Sequence, residues 1–273
     1  MTEKLRVGLV GCGNIGEALC RAIAAGDISA EVTALTDQDA ERAERLRAEF
    51  APGAAICALD ENAARVDLLV ECAVGAVVPA VLDAAQRHGR DCLIMSLGGL
   101  VGALDALEVA CAAGVNVRIP SGAICGLDGL RAAREGGLSR VRLTTRKPPA
   151  GLRGAPHVES AGVNLDALTE ATTIFEGAAR EAIQAFPKNV NVAAALSLAG
   201  IGLDRTEVRV IADPTSGVNS HEVEADGAFG RLRTVTENVP SPANPKTSYL
   251  ASLSACAELR AAADAFINRQ ARV

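Results

Sequence analysis

The chain has 273 residues, about half of them apolar, and a formal net charge of −6. This length accommodates two modest domains or one large one, with a sizeable core. The negative charge and the shortage of aromatic residues (no Trp, one Tyr, five Phe) disfavour a nucleic-acid-binding protein, which needs a basic surface and stacking platforms. Charge or glycine interrupts each apolar stretch before it reaches membrane-spanning length, and the charged residues 1–6 are unlike a signal peptide. We therefore expect no contact with nucleic acid or membrane.

The eight cysteines are scattered along the chain without a CxxC pair or a Cys/His cluster. This spacing is unlike that of a metal site or a disulfide framework. We expect small buried thiols in a reducing cytoplasm and no bound metal.

Strands and helices alternate from Leu5 to about residue 125. Apolar runs predict strands at 5–10, 32–36, 67–72, 91–95 and 116–119 and near residue 56; helical spacing predicts helices at 14–25, 39–50, 76–88 and 103–113. Such alternation indicates right-handed βαβ units and a doubly wound parallel sheet. We predict that residues 1–125 form one domain.

The second half has a different pattern. Strands are predicted at 138–147, 172–176, 207–212, 222–226 and 230–236, and helices at 178–185 and 189–199. Asp226-Gly227 is a typical hairpin turn between the last two strands. Residues 126–241 therefore predict a second α+β domain with a mainly antiparallel sheet. The long helix expected at 247–269 lies in a C-terminal segment, 242–273, that we expect to complete the first domain.

The first predicted strand runs into a glycine turn, Gly11-Cys12-Gly13-Asn14-Ile15-Gly16. The G-x-G-x-x-G string is a weak signal alone, but here it follows a strand and opens a helix, as in the Rossmann dinucleotide-binding fingerprint. The glycines permit a tight turn, close approach of a pyrophosphate and close helix packing. The backbone N–H groups of Asn14 and Ile15 would face the phosphates at the helix start. An ordinary strand–helix turn is the alternative.

Asp37 follows the second strand, 21 residues after Gly16. A carboxylate at this point accepts hydrogen bonds from the adenosine ribose of NAD and repels the 2′-phosphate of NADP. Arg42 and Arg45, further along, would soften that preference. The alternative is that Asp37 caps the next helix, a role for which Asp39 competes.

Several later strings combine polar residues with turns, where functional sites are usually assembled. They are SGAICGLDG at 121–129, TTRKPP at 144–149, FPKNVNVAA at 186–194 and NPKTS at 244–248. Through these strings the chain resembles the L-aspartate dehydrogenase family from Gly8 to about Ser254.

The resemblance implies NAD-dependent, or NADP-dependent, interconversion of L-aspartate with iminoaspartate or oxaloacetate and ammonia, feeding NAD synthesis. It implies that Ala123 and Asn189 contact NAD and that His221 is catalytic. It also implies a homodimer or homotetramer. Gln38 stands where an Arg is common in the family, which leaves use of NADP open.

The chemistry offers a separate argument for His221. Oxidising an α-amino acid needs a group that accepts protons near neutral pH, and histidine is the usual choice. Only three histidines exist. His88 stands at a helix end, where a cation favours the helix dipole, and His157 stands in a Gly/Pro-rich loop expected at the surface. His221 lies beside Asn219 and other polar residues, although a histidine satisfied within a sheet is the alternative.

A dicarboxylate substrate needs cations and hydrogen-bond donors. Lys246 is the first candidate, with Thr247 and Ser248 as donors at a helix start and Asn219 nearby in the same half. A solvated loop lysine is the alternative for Lys246. Lys188 could assist, and Arg146 and Lys147 could instead organise their loop.

Two other functions stay open at this point. One is a related two-domain reductase of the dihydrodipicolinate or homoserine type, whose substrate-loop signatures we do not find. The other is a non-catalytic dinucleotide-binding sensor, which would need only the first domain.

Overall fold

The computed structural model describes residues 3–187, 190–241 and 248–270. The chain divides into two compact units. One comprises residues 1–120 with 252–273, and the other residues 121–251.

The first unit contains a six-stranded parallel sheet in the order β3-β2-β1-β4-β5-β6. Its strands are β1 (Leu5–Val10), β2 (Ala30–Thr36), β3 (Ala55–Ile56), β4 (Leu68–Glu71), β5 (Asp91–Ile94) and β6 (Val117–Arg118). This order is that of the doubly wound dinucleotide-binding fold, with its switch point beside β1. The predicted Rossmann-type sheet is therefore confirmed.

Helices cover this sheet. They are α1 (Asn14–Ala24), α2 (Ala40–Phe50), α3 (Leu59–Arg65), α4 (Val78–His88), α5 (Leu97–Val101), α6 (Leu104–Ala112) and the C-terminal helix, whose bounds are Tyr249–Gln270. Leu259 and Ala263 of the C-terminal helix are fully buried in one core with Leu9 and Leu19. Across residues 3–187, 190–241 and 248–270, no helix has both the length and the apolar character of a membrane span.

The second unit contains a five-stranded mixed sheet in the order β11-β10-β7-β9-β8. Its strands are β7 (Leu138–Lys147), β8 (Thr172–Ala178), β9 (Thr206–Ala212), β10 (Asn219–Gly227) and β11 (Gly230–Asn238). Only the β7–β9 pair is parallel, so the mainly antiparallel prediction is confirmed. Its helices are α7 (Leu127–Glu135), α8 (Pro156–Ser160), α9 (Ala179–Ala185) and α10 (Val190–Ala199); the C-terminal helix is α11.

Three local predictions differ from the structure. Cys111 and Cys125 are exposed rather than buried. The hairpin between β10 and β11 turns at Ala228-Phe229, because Gly227 already pairs with Gly230. His157 is half-buried rather than exposed: its ring meets Phe175 edge to face and lies tilted against Phe186, with Nε2 2.9 Å from the Ile174 carbonyl oxygen. Its Gly/Pro-rich neighbourhood gave no sign of these distant aromatic partners.

Candidate active site

The glycine turn at the end of β1 has no room for side chains at two of its positions. Gly11 has a φ of +107°, and a Cβ there would lie 2.7 Å from the Ala73 backbone. A Cβ on Gly16 would lie 2.5 Å from the Gly11 carbonyl oxygen. These contacts are shorter than any that a methyl group tolerates, so the turn and the close helix packing both require glycine.

Gly13 differs, because a Cβ there would meet nothing within 4 Å. It is the N-cap of α1 and supplies no side-chain cap, which is the arrangement expected where the N–H groups of a helix start face a bound anion. Asn14 Nδ2 donates to Ser252 Oγ at 3.3 Å, and Ile15 packs against the core. Open space over a helix N-terminus fits a dinucleotide pyrophosphate.

Asp37 follows β2 at the same sheet edge as the glycine turn, because Val10 and Thr36 pair in register. Its Oδ2 accepts the Cys12 N–H at 2.6 Å, and its Oδ1 accepts the Asp39 N–H at 2.8 Å. The helix-capping role belongs to Asp39, whose carboxylate accepts the Arg42 N–H. A carboxylate has about four lone-pair sites, so Asp37 can hold the turn and still accept ribose hydroxyls.

In the second unit, polar side chains occupy the end of an otherwise apolar sheet face. Along β7 the buried residues alternate and end with Thr145 and Lys147. On β10, His221 pairs in register with Thr145, and Asn219 lies two residues away on the same face. One end of this face therefore carries a hydroxyl, an amine, an imidazole and an amide.

His221 is 5% exposed, and its Nδ1 lies 3.1 Å from Thr145 Oγ1. Burial, together with the charge of Lys147, lowers the pKa of His221 to about 3. The imidazole is thus neutral throughout the physiological range. The sequence-based expectation that His221 titrates near neutral pH is therefore not met. Nε2 makes no hydrogen bond to residues that the structure describes, which leaves this nitrogen for a ligand.

Lys147 is 9% exposed, and burial lowers the pKa of its ammonium to about 8. A Cβ on Gly151 would lie 3.8 Å from Lys147 Cδ and 4.0 Å from Asn219 Oδ1. The 3₁₀ turn Pro149–Leu152 therefore passes directly beside both side chains. The sequence predicts only a loop-organising role for Lys147, because nothing local indicates this burial.

Arg146 has that organising role, on the opposite face of β7. Its Nη1 lies 2.8 Å from Asp213 Oδ2. Asp213 Oδ1 accepts hydrogen bonds from the Thr215 hydroxyl and N–H. The Thr215 hydroxyl and the Arg146 guanidinium hold the pKa of Asp213 at about 2. This pair fixes the turn that follows β9.

Ala123 is buried, and its carbonyl oxygen accepts hydrogen bonds from Thr236 Oγ1 at 2.9 Å and Asn238 Nδ2 at 3.0 Å. Strand β11 thus holds the 121–126 segment in place. Ser248 pairs with Pro240 through a β-bridge, and its Oγ is buried without a hydrogen-bond partner among the described residues. Three further predicted site residues, Asn189, Lys246 and Thr247, lie outside the described residues, as does Lys188.

Comparisons with known proteins cover both halves of the chain. A family model described as "Aspartate dehydrogenase, C-terminal" matches residues 128–262, and one described as "Homoserine dehydrogenase, NAD binding domain" matches residues 11–120. The homoserine-type match is confined to the cofactor half.

Curated relatives match over nearly the full length. The L-aspartate dehydrogenase of Methanosarcina barkeri is 45% identical over 94% of this chain and 96% of its own length. That of Methanosarcina acetivorans is 46% identical over the same shares. The crystal structure of aspartate dehydrogenase from Thermotoga maritima has a TM-score of 0.71 at 25% identity, covering 95% of this chain and 97% of that one. The chain therefore belongs to the L-aspartate dehydrogenase family.

Proposed function

We propose that this protein is an NAD(P)-dependent oxidoreductase that converts L-aspartate to iminoaspartate, which hydrolyses to oxaloacetate and ammonia, or that catalyses the reverse amination. The observation that carries the proposal is the buried, neutral His221 held by Thr145 beside Lys147 and Asn219. In a chain with full-length relatives named L-aspartate dehydrogenase, this face is the place for substrate chemistry.

The cofactor would be held by Gly11, Gly13, Gly16 and the helix start at Asn14 and Ile15, with Asp37 on the adenosine ribose. Ala123 and Asn189 would contact the nicotinamide end. When bound, the oxidised nicotinamide supplies the acceptor for the hydride that leaves the substrate Cα. We propose NAD as the preferred cofactor, because the Asp37 carboxylate would repel a 2′-phosphate.

On the substrate side, His221 would hydrogen-bond the reacting end of the amino acid through Nε2. Ser248 and Asn219 would donate to a carboxylate, supported by the unpartnered buried hydroxyl of Ser248. Lys246 and Thr247 are the other residues that we propose to bind the substrate. A buried hydroxyl without a partner costs about 1–3 kcal/mol, and a bound carboxylate would remove that cost.

We further propose that residues 1–125, completed by 242–273, form the dinucleotide-binding domain. Residues 126–241 would form the catalytic domain, to which Lys246, Thr247 and Ser248 add substrate contacts, and would assemble a homodimer or homotetramer. A cytoplasmic location is supported by the eight cysteines, all of which are free thiols. The iminoaspartate formed by this reaction would be used in NAD synthesis. Sedimentation of the purified protein would measure the oligomeric state.

The central test follows NADH absorbance with oxaloacetate and ammonia, each omitted in turn. We expect oxidation of NADH only when both are present, and the reverse reaction with L-aspartate and NAD. Activity with another keto acid but not with oxaloacetate would indicate a related reductase. Binding of NADH without turnover on any of these substrates would indicate a sensor, and either result would overturn the proposal.

A further inference from the structure

We infer that Lys147 is the catalytic residue that accepts the proton from the substrate's amino group during oxidation and returns it during amination. This inference rests on the proposed function and deepens it. It assigns the proton step to the amine at the end of β7 and leaves His221 as a neutral hydrogen-bonding group.

The geometry brings the two side chains to the same end of one sheet face. Lys147 lies two residues beyond Thr145 on β7, and His221 pairs with Thr145 across the β7–β10 ladder. Residues two apart on a strand project from the same face. The turn at Gly151 covers Lys147 and Asn219 together. A substrate that reaches the imidazole therefore also meets the amine.

The surroundings of Lys147 favour loss of its proton near neutral pH. His221 faces it from β10 and is neutral above pH 3. Asp213, just beyond β9, is engaged by Arg146 and Thr215. Residues 149–152 contain no titratable side chain, and Arg153, next in the chain, pairs with Asp166. Burial lowers the pKa of the Lys147 ammonium to about 8. A general base works best when its pKa lies near the operating pH.

The step balances with the cofactor as oxidant. The substrate ammonium transfers one proton to the neutral Lys147 Nζ, which becomes an ammonium. The nitrogen lone pair then forms the C=N bond as the Cα hydrogen leaves with its electron pair to the oxidised nicotinamide. The products are an iminium, the reduced cofactor and protonated Lys147, which releases its proton to solvent.

An alternative role for Lys147, a fixed positive charge that binds a substrate carboxylate, makes a different prediction. Lys147→Arg preserves that charge, but the arginine guanidinium does not lose its proton in a protein. If Lys147 accepts the proton, Lys147→Arg and Lys147→Met both lower kcat at least about 100-fold, with KM for aspartate within a few-fold. If Lys147 is a carboxylate clamp, Lys147→Arg keeps much of kcat and Lys147→Met mainly raises KM. That second result would overturn the inference.

The control variant is Lys4→Arg, because Lys4 is exposed and lies before β1. It should leave kcat and KM unchanged. In the wild type, kcat for oxidation should rise with pH through about 8. Added primary amines should restore turnover to Lys147→Ala in proportion to their basicity, which a purely structural role would not produce. A lack of rescue in a folded variant would contradict the proton-transfer role.

A measurement without cofactor or turnover gives a second readout. The chain has only four lysines, so lysine labelled with ¹³C at Cε yields four resolvable NMR signals, and Lys147→Arg identifies one of them. We expect that signal to titrate near pH 8 in the intact protein. Titration near 10.5 would overturn the inference while leaving the proposed function standing. Inactivity of the wild type on aspartate would instead overturn the proposed function.

Discussion

Thr145 Oγ1 lies 3.1 Å from His221 Nδ1, and both side chains are buried at directly paired positions of β7 and β10. This hydrogen bond fixes the rotation of the imidazole and leaves Nε2 for the proposed contact with substrate. Thr145→Val preserves the shape and removes the hydroxyl. Because the ring then loses its orientation, we expect kcat to fall about 10-fold, equivalent to about 1.4 kcal/mol of barrier.

Steady-state kinetics with the conservative variants tests this relationship. Thr145→Ser keeps the hydroxyl and should recover most of kcat. Thr144→Val is the matched control, because Thr144 lies on the opposite face of β7 and pairs with Glu222. Equal activity of Thr145→Val and Thr144→Val would show that the hydroxyl does not position the ring.

His221→Ala removes the imidazole itself. NADH should bind with unchanged affinity, because the proposed pyrophosphate and ribose contacts come from the glycine turn and Asp37. Turnover should fall about 100-fold or more, the range for loss of one positioned hydrogen-bonding group in an active site. Titration of NADH fluorescence and steady-state rates measure the two quantities separately. A wild-type rate in this variant would exclude His221 from the reaction.

The neutral, buried His221 also predicts how stability depends on acid. Its pKa is about 3 in the folded protein, against about 6.5 in an unfolded chain. Between pH 6.5 and 3 the unfolded state binds more protons, so the free energy of unfolding falls as pH falls through this window, by at most about 1.4 kcal/mol per pH unit from this residue. Above pH 6.5 its contribution is constant.

His221→Gln should therefore flatten the acid dependence, measured as urea midpoints at pH 7, 5.5 and 4.5. Thr144→Val is the control, because Thr144 does not titrate and lies on the opposite face of β7. It should keep the wild-type slope. If His221→Gln lost stability as steeply as wild type below pH 6.5, the imidazole would not be held neutral.

The glycine turn separates a folding requirement from a binding requirement. Gly16→Ala places a methyl group 2.5 Å from the Gly11 carbonyl oxygen and should lower the free energy of unfolding by about 1–3 kcal/mol. Gly13→Ala meets only open space and should shift the melting temperature by less than about 2 °C. It should nevertheless weaken NADH binding at least 10-fold, because its methyl group would occupy the expected pyrophosphate position.

Calorimetry and NADH titration of both variants provide the comparison. Normal affinity in Gly13→Ala would argue that the pyrophosphate does not approach this residue. A strong loss of stability in Gly13→Ala would show that the space above α1 is needed by the fold itself.

The first unit was largely predictable, because its strands are short apolar runs and its turn chemistry is local. The β7 prediction, 138–147, was also correct, since Val141, Leu143 and Thr145 alternate with polar residues. Helix α7 was missed because Gly129 interrupts its helical pattern. A Cβ at Gly129 would lie 2.9 Å from Leu232 Cδ1, so packing against β11, about 100 residues later, explains that glycine.

The site was predictable in its parts but not in its electrostatics. His221 stood out through its polar neighbours in sequence. Lys147, followed by Pro148-Pro149, resembles a solvated strand end, and only pairing with β9 and β10 and coverage by the Gly151 turn bury it. Because burial sets both the pKa of about 8 for Lys147 and that of about 3 for His221, no local pattern could show which of the two exchanges protons near neutral pH.

Asp37 combines two roles that a pair of variants can separate. Its carboxylate accepts the Cys12 and Asp39 N–H groups, and we expect it also to accept ribose hydroxyls. Asp37→Ala should weaken NADH binding about 10- to 100-fold, the cost of losing hydrogen bonds to a charged group, and NADPH binding much less, because repulsion of the 2′-phosphate is relieved. Asp37→Asn keeps an acceptor for one backbone N–H and should retain more stability than Asp37→Ala, while showing the same gain in relative NADPH affinity.

Fluorescence titrations with both cofactors measure the ratio of NADH to NADPH affinity directly. Equal losses of NADH and NADPH affinity in both variants would mean that Asp37 only holds the turn, and that cofactor choice is made by other residues.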